Sequence, residues 1–521
     1  MLAPPLSMWS VHGQGFAGAQ RVAGWAKHPC AGCVRFVCVG EQTLLVPGHR
    51  LVSMSELIAP TLNPASLPAQ RVSDAAAQLL TRLFRGFRGT VHLRLWNGEL
   101  LQLGSSAQTT GLHNLPANVP PPYTLVCRSP QAVRTLVLGR DPLRLAEAYF
   151  KGDTDVEGDF FAALGLKDQL NHLGYAWRDR AGALLAAARL CLSCRVAAAT
   201  DTAQASLHGV NVKSHTRGEN SNAVAFHYDV SNAFYALWLD EAMVYSCAYF
   251  EHANDTIADA QQAKLDLVCR KLMLQPDELL LDIGCGWGAL VIYAAQHYGV
   301  RAHGITLSRQ QLALAQQRID AAGLQGRVTV ALCDYRDLPA NACYDKVASV
   351  GMFEHIGLKN LPTYFEAVYQ RLAPGGLFLN HGITHDVEGW KKTLSSEFIN
   401  RYVFPDGQLD TVSNIQRLME RAHFEITDVE SLRPHYALTL RHWVARLEQH
   451  HDAALQHVSE STWRVWRLYM AACALEFETG EIGVYQVLAC KRGARSAALP
   501  LTRQHLYGHV APAMTDVVQP F

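Results

Sequence analysis

Short apolar runs alternate with segments of helical periodicity along the second half of the chain. Five apolar runs have the length of a strand, at residues 279–283, 302–307, 328–332, 346–350 and 377–380. Several of the stretches between them carry the spacing of an amphipathic or buried helix. This alternation predicts an α/β fold with a mostly parallel sheet, in which ligands bind beyond the carboxyl ends of the strands.

A second, smaller pattern lies nearer the N-terminus. Two helical stretches at 75–87 and 141–149 enclose strand-like runs at 90–96, 99–103 and 123–127. We therefore expect a small α+β domain over residues 72–165.

The segments that flank these two patterns are expected to be connectors. Residues 1–65 lack sustained periodicity and predict a disordered extension, and residues 166–222 predict an apolar helix followed by a polar linker. A second, larger domain is then expected over 223–495, with a tail at 496–521. Cys30 and Cys33 form a single pair, whereas structural zinc sites usually join two separated pairs, so no metal site is expected.

Composition indicates the cellular compartment and the kinds of partner to expect. The 521 residues are 49% hydrophobic and 18% charged, which is enough for two folded domains, and 46 basic residues balance 46 acidic ones. This balance gives no reason to expect a nucleic-acid partner. The 13 cysteines are scattered and no signal peptide is evident, which favours the cytoplasm. The most apolar stretch, 181–200, contains Arg189 and Arg195, so we expect no membrane span.

Three glycines follow the first strand of the parallel pattern. They lie in the run Asp282-Ile-Gly284-Cys-Gly286-Trp-Gly288, just before an apolar helix, where backbone can approach a ligand closely. A dinucleotide site would show G-x-G-x-x-G and an acid about 20 residues further on, and neither is present. The Asp282 carboxylate would also repel a pyrophosphate. The loop therefore predicts an S-adenosylmethionine site, and a purely structural glycine turn is the alternative.

The ends of the next two strands supply further candidate ligands for that cofactor. Thr306 ends the second strand, and Ser308 followed by Gln311 also has the spacing of a helix capping box. Asp334 and Tyr335 follow the third strand, where they could reach an adenine ring or serve only as loop structure.

Several separated motifs, in this order, make the sequence similar to the cyclopropane fatty acid synthase family, which includes the mycolic acid cyclopropane synthases. The resemblance spans residues 225–493. It is carried by Tyr245-Ser246-Cys247-Ala248-Tyr249, Gln261-Gln262-Ala263-Lys264, the glycine loop, Gly351-Met352-Phe353-Glu354-His355, His381-Gly382-Ile383 and Tyr436.

The resemblance implies a Rossmann-like methyltransferase with a lipid-facing site in which a bound bicarbonate accepts a proton. It places Cys247, Glu354, His381, the backbone of Ile383 and Tyr436 around that ion. It also lines the cofactor with Tyr245, Ser246, Gly284, Gly286, Thr306, Gln311 and Tyr335. One departure is that His435 stands before Tyr436, where the family usually has an acid.

Older descriptions of the family favour a cysteine near the C-terminal helix as a nucleophile, and Cys473 matches that place. Methylene addition requires no covalent thiol intermediate, and a lone cysteine on an apolar helix is usually a small buried residue. Both interpretations of Cys473 are kept.

The chemistry of methylene addition explains why these residue types would be needed. An alkene is a weak nucleophile, so an activated sulfonium donor and close alignment supply much of the rate. The carbocation that follows requires a dry site, and ring closure requires a base near the new methyl carbon. Bicarbonate could serve as that base if Tyr436 and His381 hold it and Glu354 orients its proton.

The expected function is methylene transfer to the cis double bond of unsaturated acyl chains of membrane phospholipids, forming cyclopropane fatty acids. The alternatives are a fatty acyl C-methyltransferase without ring closure, a small-amine N-methyltransferase and a lipid-binding protein with an inactive catalytic domain. The resemblance also implies that the small domain over residues 72–165 serves in lipid binding or dimerisation. We therefore expect a cytoplasmic protein with peripheral membrane contact, and a homodimer as its possible assembly.

Overall fold

The computed structural model describes residues 43–44, 52–53, 69–87, 89–104, 122–138, 142–166, 231–390, 394–404, 407–492 and 499–507. The cysteine pair near residue 30 and the predicted helix and linker at 167–222 lie outside the described residues, as does most of the predicted N-terminal extension. The chain divides into two compact units, residues 1–66 and 67–521. In the first unit, strands β1 (Thr43–Leu44) and β2 (Val52–Ser53) pair in antiparallel fashion.

The second unit begins with a small α+β region. Its strands form a four-stranded sheet in the order β4-β3-β5-β6, in which only the β3–β5 pair is parallel. The elements in chain order are α1 (Ala69–Leu83), β3 (Val91–Arg94), β4 (Leu100–Leu103), β5 (Tyr123–Cys127), α2 (Pro130–Leu138), α3 (Pro142–Phe150), β6 (Thr154–Gly158) and α4 (Phe160–Leu164). The predicted pattern missed α2, β6 and α4. The first helix begins earlier and ends earlier than its expected range of 75–87.

The remaining strands form one seven-stranded sheet in the order β12-β13-β11-β10-β7-β8-β9. The pairs from β9 to β11 are parallel, and β13 runs antiparallel to both of its neighbours. The strands are β7 (Leu279–Ile283), β8 (Arg301–Thr306), β9 (Val328–Leu332), β10 (Tyr344–Val350), β11 (Leu372–His385), β12 (Phe424–Ser431) and β13 (Ile482–Lys491). The predicted mostly parallel sheet is confirmed, although β12 and β13 were not foreseen and β11 is much longer than 377–380.

Eleven further helices surround this sheet in the described part of the chain. They are α5 (Asn232–Trp238), α6 (Ile257–Lys271), α7 (Ala289–Tyr298), α8 (Arg309–Ala321), α9 (Leu361–Arg371), α10 (Leu394–Tyr402), α11 (Val412–Arg421), α12 (Arg433–Gln449), α13 (His451–Ala454), α14 (Glu460–Thr479) and α15 (Gln504–Tyr507). The last of these lies within the predicted tail. None of the helices described is long and apolar enough to cross a lipid bilayer.

Alternating residues of the central strands face two different cores. Leu280 of β7 packs with α6 and α7, whereas its neighbour Leu281 packs with α9 and α11. Both faces of the parallel strands are therefore covered by helices, as their continuous apolar sequence requires.

A third core joins the region of the seven-stranded sheet to the small N-terminal region. It is rich in aromatic residues from α5, α12 and α14, including Trp238, Trp443 and Trp466, and it extends to Tyr149 and Phe160 of the small region. The long helices α12 and α14 therefore contact both regions.

Candidate active site

The glycine loop forms the turn between β7 and α7. Gly284, Gly286 and Gly288 all adopt positive φ values, of +85°, +55° and +83°. A Cβ at Gly286 would meet no atom within 4 Å, whereas one at Gly284 would lie 3.1 Å from Met352 and one at Gly288 would lie 3.2 Å from Ala315. Gly286 therefore borders open space, and Gly288 allows α7 and α8 to pack closely.

A cavity of about 150 Å³ adjoins this loop. It lies by the carboxyl ends of β7, β8 and β10, where the strand order of the sheet reverses, the usual ligand site in open α/β sheets. Nine predicted cofactor residues line it: Tyr245, Ser246, Asp282, Gly284, Gly286, Thr306, Gln311, Asp334 and Tyr335. Gly288 and Ser308 do not line it and act on its shape through the helices that they begin.

Asp282 lines this cavity and has one side-chain oxygen without a hydrogen-bond partner in the described part of the chain. Its side chain is buried, and Oδ1 has no hydrogen-bond partner among the described residues. Burial raises the pKa of Asp282 to about 7, against the opposing effect of nearby Lys264. Lys264 is itself buried, donates to Ser246 Oγ at 2.9 Å, and has its pKa lowered by burial to about 8. A buried carboxylate with a free oxygen suits a ligand that carries positive charge or hydroxyl donors.

The expected capping box at the start of α8 forms only in half. Ser308 Oγ accepts from the Gln311 backbone N–H at 3.3 Å, but Gln311 Oε1 accepts instead from Thr306 Oγ1 at 2.7 Å. Thr306 Oγ1 also accepts the Ser308 N–H, at 3.2 Å, which is the donor that a complete capping box would have used. The three side chains thus fix one another at the edge of this first cavity.

Asp334 is held by its own neighbour. Its two oxygens accept from Arg336 Nε and Nη2 at 2.7 and 2.6 Å, and the Arg336 guanidinium lies 5.4 Å from the ring centroid of Tyr335. Asp334 and Tyr335 therefore reach the cavity as parts of a rigid turn.

A second cavity of about 370 Å³ has mainly apolar walls. All six predicted catalytic residues line it: Cys247, Glu354, His381, Ile383, Tyr436 and Cys473. Four residues line both cavities: Tyr245, Ser246, Gly351 and His355. The two cavities therefore meet, so a group bound in one can reach a group bound in the other.

Glu354 and Ile383 are directly joined at the second cavity. Glu354 Oε1 accepts the Ile383 backbone N–H at 2.7 Å, while Oε2 is buried without a partner in the described part of the chain. Burial raises the pKa of Glu354 above its ordinary value. The backbone of Ile383, expected to face a bound ion, thus holds one oxygen of the carboxylate and leaves the other for a ligand.

His381 is equally buried and has one ring nitrogen engaged. Its Nδ1 lies 3.1 Å from Nε2 of Gln486 on β13, and its Nε2 has no partner among the described residues. Burial and the nearby charges of Lys264 and Lys271 hold the pKa of His381 well below its ordinary value, so the ring is neutral.

The other three predicted catalytic residues differ in setting. Cys247 is fully buried and burial raises its pKa, so it is a thiol and not a thiolate. Tyr436 lies on α12 with its ring 4.7 Å from that of Phe477. Cys473 is half-buried on α14.

Residues 215–487 match the model of one protein family, Mycolic acid cyclopropane synthetase. This chain belongs to that family. The resemblance noted in the sequence is therefore confirmed, and this member of the mycolic acid cyclopropane synthetase family is an S-adenosylmethionine-dependent methyltransferase.

Individual relatives agree with the family match. A Pseudomonas putida protein named "Probable fatty acid methyltransferase" is 40% identical over 420 residues, which cover 80% of this chain and 96% of that protein. The cyclopropane-fatty-acyl-phospholipid synthase of Escherichia coli is 42% identical over 264 residues, covering 50% of this chain and 66% of that one. The solved structure of a Mycobacterium tuberculosis cyclopropane synthase shares 35% identity and a TM-score of 0.50, over 52% of this chain and 98% of that chain.

The first cavity of this family member fits S-adenosylmethionine. The ligand carries two positive charges, and Asp282 offers an oxygen that nothing else in the described structure satisfies. The open space at Gly286 lets backbone come close to the ligand. The Asp282 oxygen and the open space at Gly286 therefore support a cofactor site at this cavity.

Sequence reasoning missed two polar residues of the site. Gln486 was not singled out, and Lys264 was noted only as part of a motif. A polar side chain inside the apolar run of 482–490 would have been the signal for Gln486, because buried polar groups need a partner. For Lys264, nothing in the sequence indicates that it is buried against Ser246.

Proposed function

We propose that this chain transfers a methylene group from S-adenosylmethionine to the cis double bond of an unsaturated acyl chain of a phospholipid, forming a cyclopropane ring. The observation that carries the proposal is the junction of the two cavities at Tyr245, Ser246, Gly351 and His355. One cavity offers a carboxylate to a cationic donor. The other is mainly apolar and is lined by Glu354 and His381, whose Oε2 and Nε2 atoms have no partner among the described residues.

The walls of the second cavity suit an acyl chain and a cationic intermediate. Aliphatic and aromatic side chains dominate the lining, including Ile399, Leu440, Phe404, Tyr469 and Phe477. Apolar walls exclude the water that would quench a carbocation, and the faces of aromatic rings attract positive charge.

The polar end of the same cavity fits a small oxyanion. Bicarbonate bound there would place a general base close to the acyl chain. Glu354 Oε2 and His381 Nε2 are the atoms that would hold it, because both are buried in the cavity lining without a partner in the described chain. Tyr436 lines the same cavity and has a hydroxyl that can donate.

The small N-terminal region packs against helix α14. Arg464 of α14 donates to Asp155 at 2.9 Å and to the Tyr149 carbonyl at 3.2 Å, and the Arg467 guanidinium lies 3.8 Å from the ring centroid of Phe160. Helix α14 also carries Cys473, which lines the second cavity, the proposed acyl cavity. We propose that the small region docks the enzyme on the bilayer surface and serves in dimerisation.

A fatty acyl C-methyltransferase without ring closure is the second candidate. The Pseudomonas putida relative, which matches over 96% of its own length, bears the name of a probable fatty acid methyltransferase. Both reactions begin with methyl transfer to the double bond and pass through the same cation. In ring closure the added methyl group loses a proton and its electron pair forms the new ring bond, whereas in branching the acyl chain loses a proton and a double bond re-forms.

Product analysis tests the proposal. The purified protein is incubated with S-adenosylmethionine and vesicles of a cis-unsaturated phospholipid, and the acyl chains are released and examined by gas chromatography and mass spectrometry. We expect each modified acyl chain to gain the mass of one methylene group. The modified chain should take up no hydrogen under conditions that saturate a double bond. Unchanged acyl chains, or methylation of an added small amine, would contradict the proposal.

A further inference from the structure

Gln486 and His381 face each other across two strands. Gln486 of β13 is the direct antiparallel partner of His381 of β11, and the two side chains are 0% and 1% exposed. The two side chains meet through Gln486 Nε2 and His381 Nδ1, which lie 3.1 Å apart.

The direction of this hydrogen bond follows from the groups involved. An amide nitrogen donates and cannot accept, so His381 Nδ1 is the acceptor. The opposite orientation of the amide would bring both N–H donors to the position of Oε1, which has no partner among the described residues. Buried donors without a partner are rarer and costlier than under-used acceptors, so the observed orientation is the favoured one.

The acceptor role of Nδ1 fixes the proton of the ring. A neutral imidazole has one N–H, so a lone pair on Nδ1 places that proton on Nε2. His381 lines the acyl cavity, and Nε2 is the buried atom that has no partner in the described chain. The ring therefore offers a donor to the cavity.

We propose that Gln486 is a positioning residue that holds His381 in its Nε2–H tautomer, so that His381 donates a hydrogen bond to an oxygen in the acyl cavity. The identity of that oxygen as bicarbonate rests on the proposed function, but the tautomer does not. In the other tautomer, a lone pair on Nε2 would repel an anionic oxygen. His381 thus holds the anion and does not itself take the proton.

Nitrogen NMR tests the tautomer directly. The full-length protein is labelled with ¹⁵N-histidine, and the His381 signals are assigned by their loss in His381→Asn. At neutral pH we expect one protonated nitrogen, Nε2, and one unprotonated nitrogen, Nδ1. A proton on Nδ1, or a doubly protonated ring, would overturn the proposal.

A pair of variants on the same strand tests the role of Gln486. Gln486→Leu should leave the tautomer unfixed and lower the turnover rate by about 10-fold, the low end of the effect of removing a partner that orients a functional histidine. Its affinity for S-adenosylmethionine should not change. Val487→Ala removes buried volume at the next position and should lower stability while keeping both tautomer and activity.

The outcomes separate the two proposals. A Gln486→Leu protein with wild-type tautomer and turnover would overturn the positioning role, as would an equal loss of turnover in Val487→Ala. If the variant fails to fold, the spectrum of the wild-type protein decides the question. An Nε2–H tautomer in a protein that forms no cyclopropane would leave the role of Gln486 intact and contradict the proposed function.

Discussion

Replacing Glu354 by glutamine should separate chemistry from cofactor binding. The carbonyl oxygen of the new side chain can keep the 2.7 Å bond from the Ile383 N–H, so the local fold is preserved. The amide nitrogen then takes the place of Oε2, and an acceptor that faces the acyl cavity becomes a donor. We expect a loss of turnover of about 100-fold, which corresponds to about 2.7 kcal/mol in the barrier.

Stability should move in the opposite direction to activity. Burial raises the pKa of Glu354 in the folded protein, so the protonated carboxyl contributes stability below its ordinary pKa and that contribution is lost as pH rises through the folded value. Glutamine cannot ionise, so Glu354→Gln should lack this loss. Its melting temperature at alkaline pH should equal or exceed that of the wild-type protein.

The assay compares single-turnover rates on phospholipid vesicles with calorimetric affinity for S-adenosylmethionine. Glu481→Gln is the matched control, because Glu481 is an exposed carboxylate at the rim of the same cavity and should tolerate the same change. A fully active Glu354→Gln enzyme would refute the role of Oε2. A parallel loss of affinity for S-adenosylmethionine would show that the substitution disturbs the first cavity and not only the second.

Three other substitutions extend the account. Gly286→Asp should abolish S-adenosylmethionine binding in calorimetry and leave the far-UV circular dichroism unchanged. A Cβ at this position meets no protein atom within 4 Å, so the new side chain fills space that the ligand would occupy. Near-normal affinity would contradict the cofactor site. The affinity of the wild-type protein should fall as pH drops through about 7, where Asp282 gains a proton, and Asp282→Asn should flatten that profile. Arg464→Met should destabilise the docking of the small region by about 2 kcal/mol in denaturant unfolding and lower activity on vesicles, because Asp155 loses its buried partner and keeps the more exposed Arg128. Unaltered unfolding would contradict this role of Arg464.

The central part of the fold was predictable because buried parallel strands are continuous apolar runs. Strands β7 to β10 therefore emerged from the sequence close to their observed bounds. Strand β12 alternates apolar with charged residues at 424–431 and lies at the edge of the sheet, and β13 contains Gly483 and Gln486. Such interruptions weaken the pattern of a buried strand, so both were missed.

The residues of the candidate site were predictable from motifs, but their partners were not. Gln486 meets His381 through a strand register that joins positions 105 residues apart. Nothing local in the sequence fixes a register between such distant strands. In the same way Arg464 reaches Asp155 across 309 residues, and an arginine on a helix is usually expected to face solvent.

The fate of the methyl hydrogens tests the central claim most directly. The enzyme is given S-adenosylmethionine with a fully deuterated methyl group and vesicles of a cis-unsaturated phospholipid, and the product is examined by mass spectrometry and proton NMR. Ring closure predicts an added carbon that keeps two of its three deuterium atoms, with the upfield ring-proton signals of a cyclopropane and no vinyl signals. An added carbon that keeps all three deuterium atoms would contradict ring closure and establish a methyltransferase that stops at the branched chain.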